Sequence, residues 1–237
     1  MLELHCILFF AFYFFQKQNM KAFQLRHSFR KLYNTRQRSS SSSPKETISH
    51  DPKRQVFLSQ SNDIYTNLAF EDWLYRNHDF DQKHLLLLWK NNPCVVIGRH
   101  QNPWVEANVP FLRETKIDLA RRNSGGGTVF HDKGNLNCTF FTRRSHYNRR
   151  RNLEIICNAI KDVTDMDVTL NDRDDIVIND YDDYLYKISG TAAKLGKDTA
   201  YHHCTVLINV NECVLRDSLN SKAVSVQPCA FLYFNFI

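Results

Sequence analysis

Glycine is scarce in this chain, and where it falls limits where a site can be built. There are seven glycines in 237 residues, all between Gly98 and Gly196, and three of them are consecutive, Gly125–Gly127. A backbone that must approach a ligand closely or turn sharply has only this stretch in which to do so. Around it, short apolar runs alternate with short polar turns. Gln55–Ser59, Leu85–Trp89, Cys94–Ile97, Asp118–Arg121, Thr128–His131, Leu136–Thr142, Asp167–Leu170, Ile176–Ile178, Tyr184–Ser189 and His202–Val210 read as strands. Ser61-Asn-Asp63 offers N-cap chemistry to a helix carrying Ile64, Tyr65, Leu68, Ala69 and Trp73. Val105–Thr115 reads as a weaker helix interrupted by Pro110. Asn148–Thr164 is the clearest amphipathic helix, with Leu153, Ile156, Cys157, Ile160 and Val163 on one face. Strands joined by tight turns are mostly antiparallel. The fold class expected is therefore α/β (α+β), a mixed, largely antiparallel sheet flanked by helices, not a repeating doubly wound unit.

Charge divides the chain. Residues 1–45 carry eight Lys/Arg and one acid, Glu3, so the net +6 of the whole leaves the rest at −1. A near-neutral body argues against a nucleic-acid binder, whose basic footprint belongs on the folded domain. No apolar run reaches the roughly 18–20 residues of a membrane span. The acid-poor, Arg- and Ser-rich start has the composition of a mitochondrial transit peptide, and Ser39–Ser43 reads as a linker. Ile7–Phe15 is apolar enough for a secretory core, but the basic n-region such a signal needs is missing, since Glu3 is the only charge ahead of it. Met20 is a second candidate start. Seven cysteines without a CxxC pair fit neither a disulfide framework nor a zinc module.

The tri-glycine follows Arg121-Arg122-Asn123-Ser124 and precedes Thr128-Val129-Phe130-His131-Asp132. A flexible hairpin loop explains the glycines but not the adjacent arginines. Successive glycines let N–H groups converge on an anion, with a guanidinium as countercharge. Neither Walker nor dinucleotide spacing is present. In Tyr186-Lys187-Ile188-Ser189-Gly190, period two puts Lys187 and Ser189 on one face of a strand ending in Ser-Gly. A solvated edge lysine is the ordinary reading, and a ligand-facing tip the sharper one. Asp172–Asp175 is a charged turn or a second contact. His202-His203-Cys204 does not form a metal site, because adjacent strand residues face opposite ways; His203 and Thr205 share a face.

These residues carry a resemblance. Arg121-Arg-Asn-Ser-Gly-Gly-Gly-Thr-Val-Phe-His-Asp132 resembles the signature of lipoate–protein ligases and lipoyltransferases. Val95-Val-Ile-Gly-Arg-His-Gln-Asn-Pro-Trp104, Lys187-Ile-Ser-Gly-Thr-Ala-Ala-Lys194 and Tyr201-His-His-Cys-Thr-Val-Leu207 resemble it too, in the family's order. The wording is nearest to the animal mitochondrial lipoyltransferases, which implies the biotin/lipoyl-protein-ligase catalytic fold and a mitochondrial matrix location. The resemblance makes Lys187 the catalytic lysine. It places Arg122, Ser124, Gly125, Gly126, Gly127, Thr128, Val129 and Phe130 around the lipoyl and phosphate groups of lipoyl-AMP. Arg173 and Asp175 then meet the nucleotide, and Thr205 lines the cavity. No metal ligand is implied, and the use of ATP and Mg²⁺ stays open. The implied acceptors are lipoyl domains of 2-oxoacid dehydrogenase E2 subunits and the glycine-cleavage H protein, with the enzyme acting as a monomer.

The domain reading is 1–45 as targeting segment and linker, 55–224 as an incomplete catalytic domain, and 225–237 as a tail without counterpart. Two alternatives accompany it. One is a truncated, non-catalytic pseudoenzyme that binds lipoyl-AMP or lipoyl domains. The other is a cysteine acyl-enzyme on Cys138 or Cys204, both flanked by apolar strand residues as inert thiols are. Whether His131 takes the attacking amine's proton is open.

Overall fold

Three sheets share the strands. In the computed structural model, residues 54–81, 83–164, 166–179 and 185–219 are described. Residues 1–45, read above as a targeting segment and linker, Tyr184 and residues 225–237 lie outside them. Strands β1 (Arg54–Leu58), β2 (His84–Trp89), β6 (Asn135–Arg143), β11 (Thr199–Leu207) and β10 (Ser189–Leu195) form a five-stranded sheet in that order. Only its β1–β2 pair is parallel. Strand β3 (Cys94–Ile97) lies between parallel β4 (Asp118–Arg121) and antiparallel β5 (Val129–His131). Strands β7 (Val168–Leu170), β8 (Ile176–Asn179) and β9 (Leu185–Lys187) make an antiparallel third sheet. The mixed, mostly antiparallel architecture is the one expected. The turn after β2, however, makes no hairpin: it carries the chain from the five-stranded sheet into the β3 sheet.

Alternation along the long strands gives the large sheet two different faces. Leu86, Leu88, Leu136, Cys138, Cys204 and Val206 face helix α4 (Arg149–Lys161) and the third sheet. On α4, Leu153, Ile156, Cys157 and Ile160 are buried as the periodicity predicts, and Asn148 caps its start by accepting from Arg151 N at 3.0 Å. Leu85, Leu87, Phe141 and Tyr201 on the opposite face pack with α1 (Ile64–Asn77) and β3. Asp63 caps α1, accepting from Thr66 N at 2.7 Å. The stripe that α1 buries is Ile64, Asn67, Glu71 and Leu74, while Tyr65 and Trp73 are more than half exposed. The expected face was displaced because two of the buried positions are polar, which an apolar pattern does not register.

Two further elements differ from the sequence reading. Pro110 interrupts nothing: it sits in the first turn of α3 (Val109–Thr115), as Pro103 does in α2 (Pro103–Glu106), where proline lacks only an N–H the helix would not use. The Tyr184–Ser189 run breaks at Ile188, which joins two sheets: Ile188 N donates to Ile176 O at 2.9 Å and Ile188 O accepts from Leu207 N at 2.8 Å. Ser-Gly thus opens β10 and does not end a strand. Helix α5 (Glu212–Leu219) packs near β5 and α3.

One close approach fixes the tri-glycine loop. A Cβ added to Gly98 would stand 2.1 Å from the carbonyl oxygen of Gly126, whereas one added to Gly125 meets nothing within 4 Å. Gly98→Ala is expected to lower the unfolding free energy by about 1–3 kcal/mol, and Gly125→Ala by less than about 1 kcal/mol. Urea unfolding of both variants checks this; equal effects would contradict the contact.

Candidate active site

The sheet face that carries Leu87 and Tyr201 becomes polar toward one end, and a cavity of about 200 Å³ opens there. Trp89, Asn137, Thr205 and Gly190 stand in register across β2, β6, β11 and β10. Three strand spacings of about 4.8 Å make this row some ~14 Å long. His203 and Ala192 lie on the same face two residues along. Opposite this floor stand Val96, Arg122, Gly127, Thr128, Val129 and His131 from the β3 sheet and its loop. Leu68 of α1, Thr191 of β10 and Lys187 at the end of β9 complete the lining.

Both arginines before the glycines spend their donors on main-chain carbonyls. Arg121 Nη1 donates to Gly98 O, Arg99 O and Gln101 O at 3.1, 3.0 and 2.8 Å. Arg122, 4% exposed, donates from Nη1 to Val96 O at 3.1 Å and from Nη2 to Gly125 O and Gly127 O at 2.8 and 2.6 Å. Its Nε reaches Ser124 Oγ at 3.1 Å and Gly125 O at 3.2 Å. Arg122 is thus the internal brace of the loop as well as part of the cavity lining. Gly126 takes φ +90°, a left-handed conformation that favours glycine.

Behind the brace lies a buried polar chain that the sequence reading missed, apart from His203. Glu71, 2% exposed, takes Thr139 Oγ1 at 3.1 Å and His203 Nδ1 at 3.2 Å on the same carboxylate oxygen. Trp89 Nε1 donates to Thr139 Oγ1 at 3.0 Å, and His203 Nε2 lies 3.2 Å from Ser124 Oγ. Burial pushes the Arg122 pKa down, and Glu71 and Tyr201 oppose that. The signal for Glu71 was there: an acid at a core position between Ile64 and Leu74.

Lys187 Nζ pairs with Asp175 Oδ1 at 2.8 Å at the Gly190 end of the cavity. The lysine is 46% exposed and the aspartate 13%. Such a half-exposed pair contributes little stability and exchanges readily for another anion. Of the residues named from sequence, Lys187, Arg122, Gly127, Thr128, Val129 and Thr205 line the cavity. Ser124, Gly125 and Gly126 form the loop behind Arg122, and Asp175 is reached through Lys187. Phe130 points the other way, into a core with Val95, Ile97 and Leu112, because alternation on β5 turns it from Val129 and His131. Arg173 stands exposed in the 171–175 turn, outside the lining, its backbone N on Asn171 Oδ1 at 2.9 Å. Cys138 and Cys204 are fully buried on the opposite sheet face, where burial raises both thiols, Cys138 to about 12. Among the described residues no His/Cys/Asp/Glu cluster could hold a metal ion, and no helix is long and apolar enough to cross a membrane.

Residues 63–231 match the family model of the lipoyl protein ligase A/B catalytic domain. The chain belongs to that family. Among lipoyl ligase relatives, the mitochondrial lipoyl amidotransferase of Mus musculus is 48% identical over 176 residues, which cover 74% of this chain and 46% of that protein. Lipoate-protein ligase A of Psychrobacter cryohalolentis is 42% identical, over 74% of this chain and 50% of its own. The chain spans about half the length of the curated relatives it matches. The crystal structure of P. falciparum LipL1 in complex with lipoate superposes with TM-score 0.63 at 34% identity, over 71% of this chain and 52% of that one. A lipoate-protein ligase A bound with ATP gives 0.64 at 24% identity, over 72% and 73%, and shares the fold.

Two buried histidines are expected to make this ligase-family domain acid-sensitive. Burial, then charge from His203, then Arg122 for His131 and Arg149 for His202, pushes each down to about 3. A histidine whose folded pKa lies below its unfolded value of about 6.5 contributes stability above that pH and loses it as the pH falls toward 3. The unfolding free energy is expected to drop between pH 6.5 and 5 by up to about 1.4 kcal/mol per pH unit for each histidine. Urea titrations across that window check it; a flat profile would contradict the burial of both rings as neutral groups.

Proposed function

We propose that the chain is a lipoyltransferase, moving a lipoyl group from lipoyl-AMP, or from a lipoylated carrier protein, to a lysine of a lipoyl domain. The observation that carries this is the meeting of Lys187 and the tri-glycine loop at one cavity whose apolar lining includes Leu68, Trp89, Val96 and Val129. An ammonium at one end and apolar walls beyond it suit an acyl chain with an anionic, activated head. The acceptor amine, once deprotonated, attacks the acyl carbon: the C–N bond forms, the C–O bond of the acyl phosphate breaks, and AMP leaves with the electron pair. Lys187, released from Asp175, would hold the carbonyl and phosphate oxygens as charge builds on them. Gly190 and Thr205, beside it in the row, keep that end open: the Thr205 hydroxyl stands 3.0 Å from where a Cβ on Gly190 would lie. The buried, raised thiols argue against a cysteine acyl-enzyme.

The acceptors proposed are the lipoyl domains of 2-oxoacid dehydrogenase E2 subunits and the H protein, in the mitochondrial matrix, with the enzyme a monomer. The mitochondrial name of the murine relative supports the compartment. Arg173 would have to swing inward to meet a nucleotide, and Asp175 would meet it as Lys187 is released.

Incubation with an acceptor domain and preformed lipoyl-AMP should add one lipoyl mass to the acceptor, while lipoate with ATP should add none. Co-elution with an acceptor that gains no mass would favour a non-catalytic binder. Lys187→Ala should cut transfer by about 10²-fold or more with the melting temperature unchanged; an unchanged rate removes Lys187 from the reaction.

A further inference from the structure

One polar group in the cavity wall is left unused by lipoyl transfer as written above. His131 is 3% exposed, lines the cavity, and its Nε2 has no hydrogen-bond partner among the described residues. Its Nδ1 lies 3.0 Å from Asn91 Nδ2. Which ring nitrogen holds the proton follows from hydrogen bonds that lead back to the main chain. Ser61 O and Lys90 O lie 3.1 and 3.2 Å from one side-chain atom of Asn67. Carbonyl oxygens only accept, so that atom is the amide nitrogen. Ser59 Oγ donates to the Asn67 oxygen at 2.6 Å, which agrees. The Asn67 nitrogen also lies 2.9 Å from Asn91, whose facing atom must therefore be its oxygen. Asn91, 0% exposed, then turns its NH₂ to His131. An imidazole whose Nδ1 accepts carries its hydrogen on Nε2.

We propose that Asn91 is a positioning residue: it fixes His131 as the neutral Nε2–H tautomer, so that the cavity wall offers one buried donor to a dithiolane sulfur of the acyl group and favours a lipoyl chain over a plain octanoyl one. This rests on the lipoyl-transfer proposal. The His131 ring lies 6.2 Å from that of Trp89, the far end of the floor row from Gly190 and Lys187. With the acyl carbonyl at Lys187, the only other heteroatoms of a lipoyl group are its two ring sulfurs, and an octanoyl chain has none. A buried N–H left unpaired costs free energy, so a site built around a donor rejects the chain that lacks an acceptor. Sulfur accepts weakly, so the discrimination expected is about tenfold. The same polarity removes His131 as the base for the attacking lysine, since Nδ1 is occupied by Asn91 and Nε2 already bears hydrogen. The depressed His131 pKa agrees with a neutral ring.

Asn91→Asp inverts the relay, because the new carboxylate can only accept, both from Asn67 and from a hydrogen moved to His131 Nδ1. Two measurements on the full chain follow: ring ¹⁵N signals of labelled histidine without ligand, and titration with lipoyl-AMP and octanoyl-AMP. The wild-type ring should read as Nε2–H, lipoyl-AMP should bind about tenfold tighter than octanoyl-AMP, and its binding should shift the Nε2 signal. Asn91→Asp should move the hydrogen to Nδ1 and bring the preference below about threefold. His131→Met, which has no donor, should lose the preference likewise if Asn91→Asp does not fold. A wild-type Nδ1–H ring, no preference in the wild type, or a preference that survives both variants would overturn the proposal. Wild-type protein that binds neither adenylate would instead overturn lipoyl-AMP as the donor on which this inference rests; the ligand-free ring signals tell the two failures apart.

Discussion

A single buried guanidinium holds the cavity in shape. Arg122 donates to Val96, Gly125 and Gly127 carbonyls and to Ser124 Oγ, tying β3 to the loop that faces the large sheet. Burying such a charge is costly unless its donors are satisfied and a counter-charge is near. The carbonyls supply the first and Glu71 of α1 the second. The glycines suit this arrangement because the Gly125 and Gly127 carbonyls turn inward onto the guanidinium while the Gly126 carbonyl lies against Gly98. Arg121 repeats the device on the 98–101 turn.

With the loop braced from behind, the cavity has two chemically different ends. At the Gly190 end an exchangeable cation, Lys187, is stored on Asp175. At the Trp89 end the lining is largely apolar, and its polar groups, His131 Nε2 excepted, are wired to one another or to the main chain through Thr139, Glu71, His203, Asn91 and Asn67. The mobile charge therefore sits where reaction would occur, and the fixed dipoles sit where an acyl chain would be recognised. That division follows from topology. The large sheet supplies the floor, the β3 sheet the opposite wall, and Ile188, shared by two sheets, delivers Lys187 to the edge.

Much of this could be read from the residues. Strand positions and the amphipathic α4 follow from periodicity, a local signal, while the convergence of Lys187, the glycine loop and Thr205 follows from the family resemblance. The errors share one cause. The apolar pattern puts Tyr65 and Trp73 in the core and does not register Glu71, Asn67 or Asn91. In each case a polar group is satisfied by partners distant in sequence, such as Glu71 with His203, which no local pattern contains. Phe130 lies inside the motif, yet strand alternation alone turns it toward Val95. The break at Ile188 is likewise decided by pairing with Ile176 and Leu207, not by its own side chain.

The most direct test is a crystal structure of this chain with lipoyl-AMP bound. The account predicts the acyl chain between the two sheets, Lys187 Nζ moved from Asp175 onto the carbonyl or phosphate oxygens, and the Gly125 and Gly127 carbonyls still on Arg122. A ligand seated outside the cavity, or an Arg122 guanidinium that has left the loop to hold the phosphate, would contradict it.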